Sequence, residues 1–393
     1  MSKLHTTLWT YPWDLADGDP RAIAKRLRND IGLDGISLAS AYHTFEMLRP
    51  HSPKRVLLQI PQAAVYFQPD PGLYAHTPIQ PHVSPLMGGD NWYADAADAA
   101  AGAGIELIAW TVFLHNSFQA GRHPECAEVT CTGDVSTSWL CPANPGVRAF
   151  AAALARDLAV NYGIALLECE SLSYGGFGHT HYHVKHGVDL GSGGRMLLSL
   201  CFCDACRTSA KEKGLDPDAL SRAVAYRLRR ILASGIPPAE PPEELIATVP
   251  QLEPFVRMRD EVVASLLEEV RAAAGIPVSF IFMGDRFNAA INRSRLAEIA
   301  DYAETLAYTP DADRIQATIK EIVPDLKNPQ QLVVGLQAYP PASPDAPTLG
   351  AGVERALDLG IRRFSFYNYG IMPPANLAWI RQCIGDARRI CDA

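Results

Sequence analysis

The sequence has no apolar run of about 18 residues, the length that a transmembrane helix requires. Its first five residues, Met1 to His5, contain no apolar segment of a secretory signal. Basic residues are dispersed, and 35 Lys and Arg against 43 Asp and Glu give a net charge of −8. We therefore expect neither a membrane nor a nucleic-acid partner, because phosphate binding requires a concentrated basic surface. Nine cysteines without an export signal favour a reducing, cytoplasmic location.

The sequence also lacks the glycine-rich phosphate fingerprint of nucleotide-binding α/β proteins. Instead, short β-rich runs alternate with longer helical runs, which is typical of an α/β protein with a parallel sheet. Eight runs are predicted strands: Leu4–Tyr11, Gly35–Ser40, Ile105–Val112, Ile164–Glu170, Val278–Met283, Glu304–Tyr308, Leu332–Ala338 and Arg363–Asn368.

A glycine stands just before five of these strands, where it can end the preceding helix in the left-handed conformation. These glycines are Gly32, Gly104, Gly163, Gly275 and Gly360. The repeated order of helix, glycine, apolar strand and polar tip predicts an α/β fold, a single (β/α)8 TIM barrel over residues 1–393. A doubly wound open sheet is the alternative.

The chain is longer than the roughly 250 residues of a plain barrel. The excess forms long loops after predicted strands two, three and four, and such loops build the active-site face of a barrel. We interpret 113–144 and 171–210 as active-site loop insertions, beside a long segment at 41–91. The Pro- and Glu-rich stretch 234–250 is interpreted as a surface connection between two helices.

Predicted strand four carries two glutamates. Side chains alternate along a strand, so Glu168 and Glu170 share one face, and inside a barrel they need either partners or a function. Asp285 follows the next strand, where it either approaches Glu170 or caps a helix. Two carboxylates flanking a cleft are what glycoside hydrolysis requires. Structural salt bridges are the alternative for the glutamates.

Aromatic and amide side chains recur at the other predicted strand ends. Rings stack on the apolar faces of sugars, and amides and imidazoles bond to hydroxyl groups. We expect a substrate-binding set of Trp9, His43, Trp110, His115, Tyr308, Gln337, Tyr339, Tyr367 and Asn368. The histidine-rich loop after strand four adds His179 and His183, with a metal site or a mobile polar loop as alternatives.

A C-x-C-x-x-C cluster is formed by Cys201, Cys203 and Cys206. Together with Cys141 it could hold a structural zinc ion, and buried free thiols are the alternative. No other cofactor is expected.

Several of these segments resemble a family of poorly characterised bacterial TIM barrels related to glycoside hydrolases. The resemblance rests on the CPxNPxVR motif at Cys141–Arg148, on Leu167-Glu168-Cys169-Glu170, and on the CFCxxC motif at Cys201–Cys206. It covers about residues 50–210 and implies a barrel acting on a carbohydrate, with Glu170 as the acid. The sequence departs from the family at Tyr182-His183-Val184, where a His-His-Glu run is usual.

The hypothesis is therefore a glycosidase acting on a small glycoside or oligosaccharide. Glu170 would be the general acid/base, Asp285 the nucleophile or water-activating base, and Glu168 a support for Glu170. A metal-dependent sugar isomerase, epimerase or lyase is one alternative. A non-catalytic carbohydrate-binding barrel is another.

Overall fold

The computed structural model describes residues 3–178 and 183–392, and these form a closed barrel of eight parallel strands. The first strand pairs with both the second and the last, which closes the barrel. The predicted (β/α)8 fold and all eight predicted strands are confirmed. The barrel strands are β1 (His5–Thr10), β2 (Gly35–Tyr42), β3 (Glu106–Val112), β4 (Leu166–Glu170), β5 (Val278–Ile281), β6 (Tyr302–Leu306), β7 (Leu332–Gln337) and β8 (Arg363–Tyr367).

Helices connect the strands and surround the barrel. The α-helices are Pro12–Ala16, Pro20–Lys25, Trp92–Ala103, Ser117–Arg122, Pro145–Asn161, Gly191–Leu198, Asp204–Glu212, Pro217–Ser234, Pro242–Thr248, Leu252–Ala274, Arg286–Ala289, Arg293–Ile299, Ala312–Ile322, Ala346–Leu357 and Leu377–Asp392, and Arg26–Ile31 is a π-helix. All five glycines predicted before strands have positive φ. At Gly104 and Gly275 the glycine directly ends a helix in the left-handed conformation, so the next strand can begin at once.

The two faces of each barrel strand have different neighbours. Leu8, Leu167 and Phe366 point outward and belong to the main apolar core shared with the helices. Trp9 and Trp110 point inward and belong to a separate cluster of mostly aromatic side chains. The alternation of side chains along a strand therefore separates a structural face from an interior face.

The long segments after β2 and β3 each contain a β-hairpin. Phe45–Leu48 pairs with Leu57–Ile60 in the first, and Ala127–Val129 pairs with Val135–Leu140 in the second. The short strand Ala64–Val65 also extends β2 in an antiparallel sense. These segments are ordered additions at the end of the barrel where the strands terminate.

The segment between β4 and β5 builds a second apolar core. Helices Gly191–Leu198, Pro217–Ser234 and the first part of Leu252–Ala274 pack their buried side chains together there. The stretch 234–250 takes part in it, because its helix Pro242–Thr248 buries Leu245 completely. This stretch connects two helices, as the sequence indicates, and it also contributes an apolar anchor.

A buried arginine joins the first hairpin to the start of the chain. Arg49 is 2% exposed, and its guanidinium lies 2.7 Å from Asp17 and 3.3 Å from Asp14. It also donates to the carbonyl of Trp13. Burial raises the pKa of Asp14 to about 7, and the positive charge of Arg49 opposes that rise. The ion pair with Arg49 therefore favours the ionised form of Asp14.

Across residues 3–178 and 183–392, no helix combines the length and the apolarity needed to cross a bilayer.

Replacing Arg49 by Met should destabilise the fold strongly. The methionine keeps most of the buried volume but leaves the buried Asp14 without its cation and Asp17 with only the exposed Lys54, which costs about 3–5 kcal/mol of unfolding free energy. Urea unfolding at neutral pH measures this loss. The exposed Arg55 on the same segment supplies the control Arg55→Met, expected to change stability by less than about 0.5 kcal/mol. Equal losses for the two variants would contradict the role given to Arg49.

Candidate active site

Two glutamates of β4 point into the barrel. Glu168 is 2% exposed and accepts a hydrogen bond from the Ser37 hydroxyl of β2. Glu170 is 4% exposed and accepts one from the indole Nε1 of Trp110 on β3. Cys169, between them, points outward into the main core. Each carboxylate therefore has a neutral donor from a neighbouring strand, and neither has an ion-pair partner among the described residues.

Burial dominates the acidity of both groups. Loss of hydration raises the pKa of Glu170 to about 7, while the Trp110 hydrogen bond opposes the rise. Burial also raises the pKa of Glu168 to about 7, with the Ser37 hydrogen bond lowering it and the charge of Glu170 raising it. A carboxyl group with a pKa near neutrality can both hold and release a proton at pH 7, as a general acid must.

A third carboxylate, Glu304 of β6, lies inside the barrel and was not among the predicted site residues. It is fully buried, and its Oε1 accepts a hydrogen bond from the Ser365 hydroxyl of β8. Its Oε2 is buried with no hydrogen-bond partner. Burial, and then the charges of Glu168 and Glu170, raise the pKa of Glu304. We call Glu168, Glu170 and Glu304 the carboxylate cluster.

The strand register explains why these carboxylates converge. Ser279 of β5 is level with Glu168, and Ile281 is level with Glu304. One step along the same register puts Ile281 level with Glu170 as well. Glu170 and Glu304 are therefore in register, on strands separated only by β5, and both point inward. Neighbouring strands are about 4.8 Å apart, so the two carboxylates approach each other across one intervening strand.

A set of aromatic rings lines the barrel above the carboxylate cluster. Trp9 stacks on Trp110 with ring centroids 4.7 Å apart, and Tyr367 meets Trp9 edge-on at 5.2 Å. The hydroxyl of Tyr11 lies 3.3 Å from that of Tyr42 and 3.1 Å from that of Tyr367. These rings hold one another in place, so the indole of Trp110 is positioned before any ligand arrives.

The half-buried side of this ring set lies over β6, β7 and β8. Tyr308, Gln337, Tyr339 and Tyr367 are each partly exposed there. The Tyr308 and Tyr367 rings are 5.5 Å apart, and Tyr339 is 6.4 Å from Tyr367. These partly exposed side chains lie at or just beyond the C-terminal ends of β6, β7 and β8.

Three polar atoms in or next to this ring set are buried and have no hydrogen-bond partner among the described residues. They are the Tyr308 hydroxyl, the Nδ2 of Asn368 and the Nε1 of Trp9. Buried polar groups in proteins are nearly always satisfied, and unpaired ones concentrate where a ligand or water binds. These three donors are therefore available to water or to a ligand.

Two predicted histidines extend the ring set toward the second hairpin. His43 lies 4.3 Å from Tyr42 and 4.6 Å from His115, measured between ring centroids. His115 stacks on Trp139 at 4.5 Å and is 2% exposed. The predicted His183 lies on an exposed segment, and His179 falls outside the described residues.

Trp139 also borders a cavity of about 300 Å³ beside the barrel. Glu128 lines the same cavity, and its carboxylate accepts a hydrogen bond of 2.8 Å from the Gly175 amide. Burial raises the pKa of Glu128 to about 7. Sequence reasoning gave no sign of this carboxylate, because a single glutamate in a short hairpin strand looks like a solvent-facing one.

Asp285 caps a short helix that follows β5. It is exposed at the start of the short helix Arg286–Ala289, where its Oδ1 accepts hydrogen bonds from the Phe287 and Asn288 amides. Its Oδ2 accepts a third from the Asn288 side chain. Its geometry is that of a helix cap, the second of the two positions the sequence left open.

No protein-family model matches the chain, and no curated protein matches it. Solved structures do resemble it. The PgaB (BpsB) glycoside hydrolase domain from Bordetella bronchiseptica aligns with a TM-score of 0.62 at 14% identity, over 97% of this chain and 98% of that one. The catalytic domain of a β-amylase from Paenibacillus polymyxa aligns at 0.55 and 12%, over 98% of each chain. A β-galactosidase from Marinomonas ef1 aligns at 0.58 and 10%, over 99% of this chain and 60% of that one.

At these identities the likeness shows the fold alone. The chain shares the barrel of several glycoside hydrolases over almost its whole length. An assignment of residues to roles has to come from the geometry of this chain.

Replacing Glu168 by Gln should change how stability depends on pH. Burial raises the pKa of Glu168 to about 7 in the folded state, whereas an unfolded glutamate titrates near about 4.3. Between these values the folded state binds more protons than the unfolded state, so the unfolding free energy falls as pH rises through this window and is level above it. Glutamine still accepts from Ser37 but cannot ionise. The fall should be smaller in the variant by about 1–3 kcal/mol.

Urea unfolding at several pH values between about 4 and 8 measures this difference. The exposed Glu240 supplies the control Glu240→Gln, for which the fall should match that of the unchanged protein. An unaltered pH dependence in Glu168→Gln would mean that Glu168 is ionised throughout the window.

Proposed function

We propose that this protein is a glycoside hydrolase acting on a small glycoside or oligosaccharide, with Glu170 as general acid/base. The carboxylate cluster carries the proposal, because three buried carboxyl groups with raised pKa values converge inside the barrel beside half-buried rings. Barrel enzymes place their active sites at the C-terminal ends of the strands, and Glu170 and Tyr367 end theirs. The fold shared with known glycoside hydrolases supports the same reading.

Glu170 is the proposed proton donor. With its pKa raised by burial to about 7, it holds a proton at neutral pH and gives it to the glycosidic oxygen as that bond breaks. The resulting carboxylate then takes a proton from water in the second half of the reaction. Trp110 positions the Oε2 of Glu170 and stabilises its ionised form through the indole hydrogen bond. Trp110 is thus a positioning residue.

Glu304 is the proposed second carboxylate. It is in register with Glu170 on the strand next but one, and its Oε2 has no hydrogen-bond partner among the described residues. In its ionised form, this oxygen can attack the anomeric carbon or take a proton from the attacking water, and the spacing of the two carboxyls decides which. A proton on Glu170 favours that ionised form, because the charge of Glu170 that raises the pKa of Glu304 is then absent. Asp285 has no such free oxygen, because the start of its helix uses both. We therefore move the second catalytic role from Asp285 to Glu304.

Glu168 has the proposed role of supporting the other two carboxyls. Three like charges in one buried volume cannot all ionise at neutral pH, so the cluster retains protons. The charges of Glu168 and Glu170 raise the pKa of Glu304, and that of Glu170 raises the pKa of Glu168. Ionisation of one member therefore holds the proton on another.

The proposed sugar site lies on the half-buried side of the ring set. Tyr308, Tyr339 and Tyr367 offer ring faces to the apolar side of a sugar, and Gln337 and Asn368 offer amides to its hydroxyls. Trp9 and His115 are almost fully buried and act by fixing the rings that a sugar would contact. His43 is partly exposed beside Tyr42 and extends the site toward the second hairpin. The acid/base chemistry requires no cofactor.

Replacing Glu170 or Glu304 by Gln should abolish most of the hydrolysis of a reactive aryl glycoside. Loss of a general acid lowers kcat by about 10²–10⁴-fold. A panel of 4-methylumbelliferyl glycosides, spanning hexosides, fucosides and N-acetylhexosaminides, identifies a substrate for the unchanged protein. The variants are then assayed on that substrate, with equilibrium binding of the unhydrolysed sugar measured alongside.

Asp285→Asn is the matched control, because asparagine also caps a helix and should retain most of the activity. Full activity of Glu170→Gln would refute the assignment of the acid. A large loss in Asp285→Asn, with Glu304→Gln active, would return the second catalytic role to Asp285. Sugar binding without turnover by the unchanged protein would favour a non-catalytic carbohydrate-binding barrel.

Replacing Trp110 by Phe should shift the pH profile of kcat/KM. The phenylalanine keeps a ring beside Trp9 but removes the hydrogen bond that lowers the pKa of Glu170. The pKa of Glu170 therefore rises, and the alkaline limb of the profile moves up by about one pH unit. Trp9→Phe, which changes a ring of the same stack without removing a bond to Glu170, should leave that limb in place. If the alkaline limb of the kcat/KM profile does not move in Trp110→Phe, Glu170 is not the group whose titration produces that limb.

A further inference from the structure

Four buried cysteines meet at the junction of the second hairpin and the helical segment that follows β4. Cys141 comes directly after the hairpin strand Val135–Leu140, and Cys201, Cys203 and Cys206 lie at the start of helix Asp204–Glu212. All four are at most 6% exposed. Their sulfur atoms all lie within 4.8 Å of one another. We call these four residues the tetrathiol cluster.

The sulfur spacing fits one tetrahedral ion. The Sγ of Cys141 lies 3.4 Å from that of Cys203, 3.5 Å from that of Cys206 and 3.9 Å from that of Cys201. A zinc ion with Zn–S bonds of about 2.3 Å in tetrahedral geometry separates its thiolates by about 3.8 Å. The observed distances bracket that value. They are also well beyond the roughly 2.05 Å of a disulfide bond.

Hydrogen-bond donors and a helix N-terminus face the sulfur atoms of the tetrathiol cluster. Cys203 stands at the N-cap of helix Asp204–Glu212, where the positive end of the helix dipole stabilises a negative charge. The Val129 amide donates to the Sγ of Cys201, and the Tyr174 hydroxyl lies 3.3 Å from the Sγ of Cys206. Amide and hydroxyl donors of this kind orient metal ligands and stabilise their charge.

A buried cation stands beside the same group. Arg259 is fully buried, and its guanidinium lies 4.4 Å above the ring of Tyr174, the residue whose hydroxyl contacts Cys206. It donates hydrogen bonds to the backbone carbonyls of Ser199, Phe287 and Asn288, which carry no full charge. Four thiolates around a divalent ion carry a net charge of −2, so the position of Arg259 offsets part of it.

We propose that Cys141, Cys201, Cys203 and Cys206 bind one zinc ion. Four protein ligands complete a tetrahedral shell and leave no position for a substrate or a water molecule, so the ion is structural. The proposal is independent of the glycosidase assignment, because it uses no residue of the carboxylate cluster.

The ion would fix the wall of the cavity beside the barrel. Its ligands join the end of the second hairpin to segment 201–206, and the Phe202 amide donates to the Val129 carbonyl between them at 2.7 Å. The same hairpin carries Glu128 and Trp139, which line the cavity, and Trp139 supports His115. Losing the metal should therefore loosen the hairpin while leaving the barrel closed.

Elemental analysis of the full chain, purified without chelators or added metal, tests the site directly. We expect about one zinc per chain. Titration of the native protein with a mercurial should release that zinc as the tetrathiol cluster reacts, detected by a metallochromic dye. Cobalt substituted for zinc should give the visible bands of a tetrahedral thiolate complex. Iron bound in place of zinc, or less than about a tenth of an equivalent of any metal, would overturn the proposal.

Single variants separate the cluster from the other cysteines. Cys203→Ser and Cys206→Ser should each lose most of the bound zinc. Cys126→Ser and Cys383→Ser change buried cysteines outside the cluster and should keep it. Hydrogen exchange of Ala127–Leu140 should become faster in Cys206→Ser, whereas exchange in β7 and β8 stays slow. Zinc retained in both cluster variants, or exchange of the hairpin unchanged after zinc loss, would contradict the structural role.

Discussion

Burial of three ionisable carboxyl groups inside one parallel barrel is the constraint on which the rest of this site depends. A carboxylate inside a protein loses its hydration, and it remains ionised only where a cation or several donors replace the water. Here the nearest compensating groups are neutral: the hydroxyls of Ser37 and Ser365 and the indole of Trp110. The cluster therefore keeps protons at neutral pH. Asp14 shows how strong the effect of burial is, because its pKa is raised to about 7 even with Arg49 beside it.

The architecture was readable from the sequence because its signals are local and repeated. Gly104 and Gly275 end their helices by a backbone preference that needs no knowledge of the fold. The apolar runs that follow are recognisable as strands buried on both sides. The second core around Leu245 was not readable, because it depends on packing between helices that are far apart in sequence. A proline-rich stretch suggests an exposed connection until those partners are known.

The site was readable in part, for the same physical reason. Alternation along β4 places Glu168 and Glu170 on one face, and the order of the strands makes that face the interior. Glu304 obeys the same alternation, but it stood at the first position of the predicted strand, where a charged residue looks like a strand end. Asp285 follows an apolar run, and Glu170 ends one, so the two residues look alike in the sequence. Only the structure shows that a helix begins directly after Asp285. The groups around an acidic residue decide whether it caps a helix or takes part in catalysis. The sequence alone does not show which groups those are.

The close approach of Gly175 to Trp139 ties two loops of the rim together. A Cβ atom at position 175 would lie 2.2 Å from the indole, so no larger residue fits while the tryptophan is present. The loop after β4 and the hairpin after β3 are therefore not free to diverge separately. During evolution, Gly175 could be replaced by a larger residue only if Trp139 were replaced by a smaller one beforehand or at the same time. The order in which such changes can accumulate is thus set by one contact.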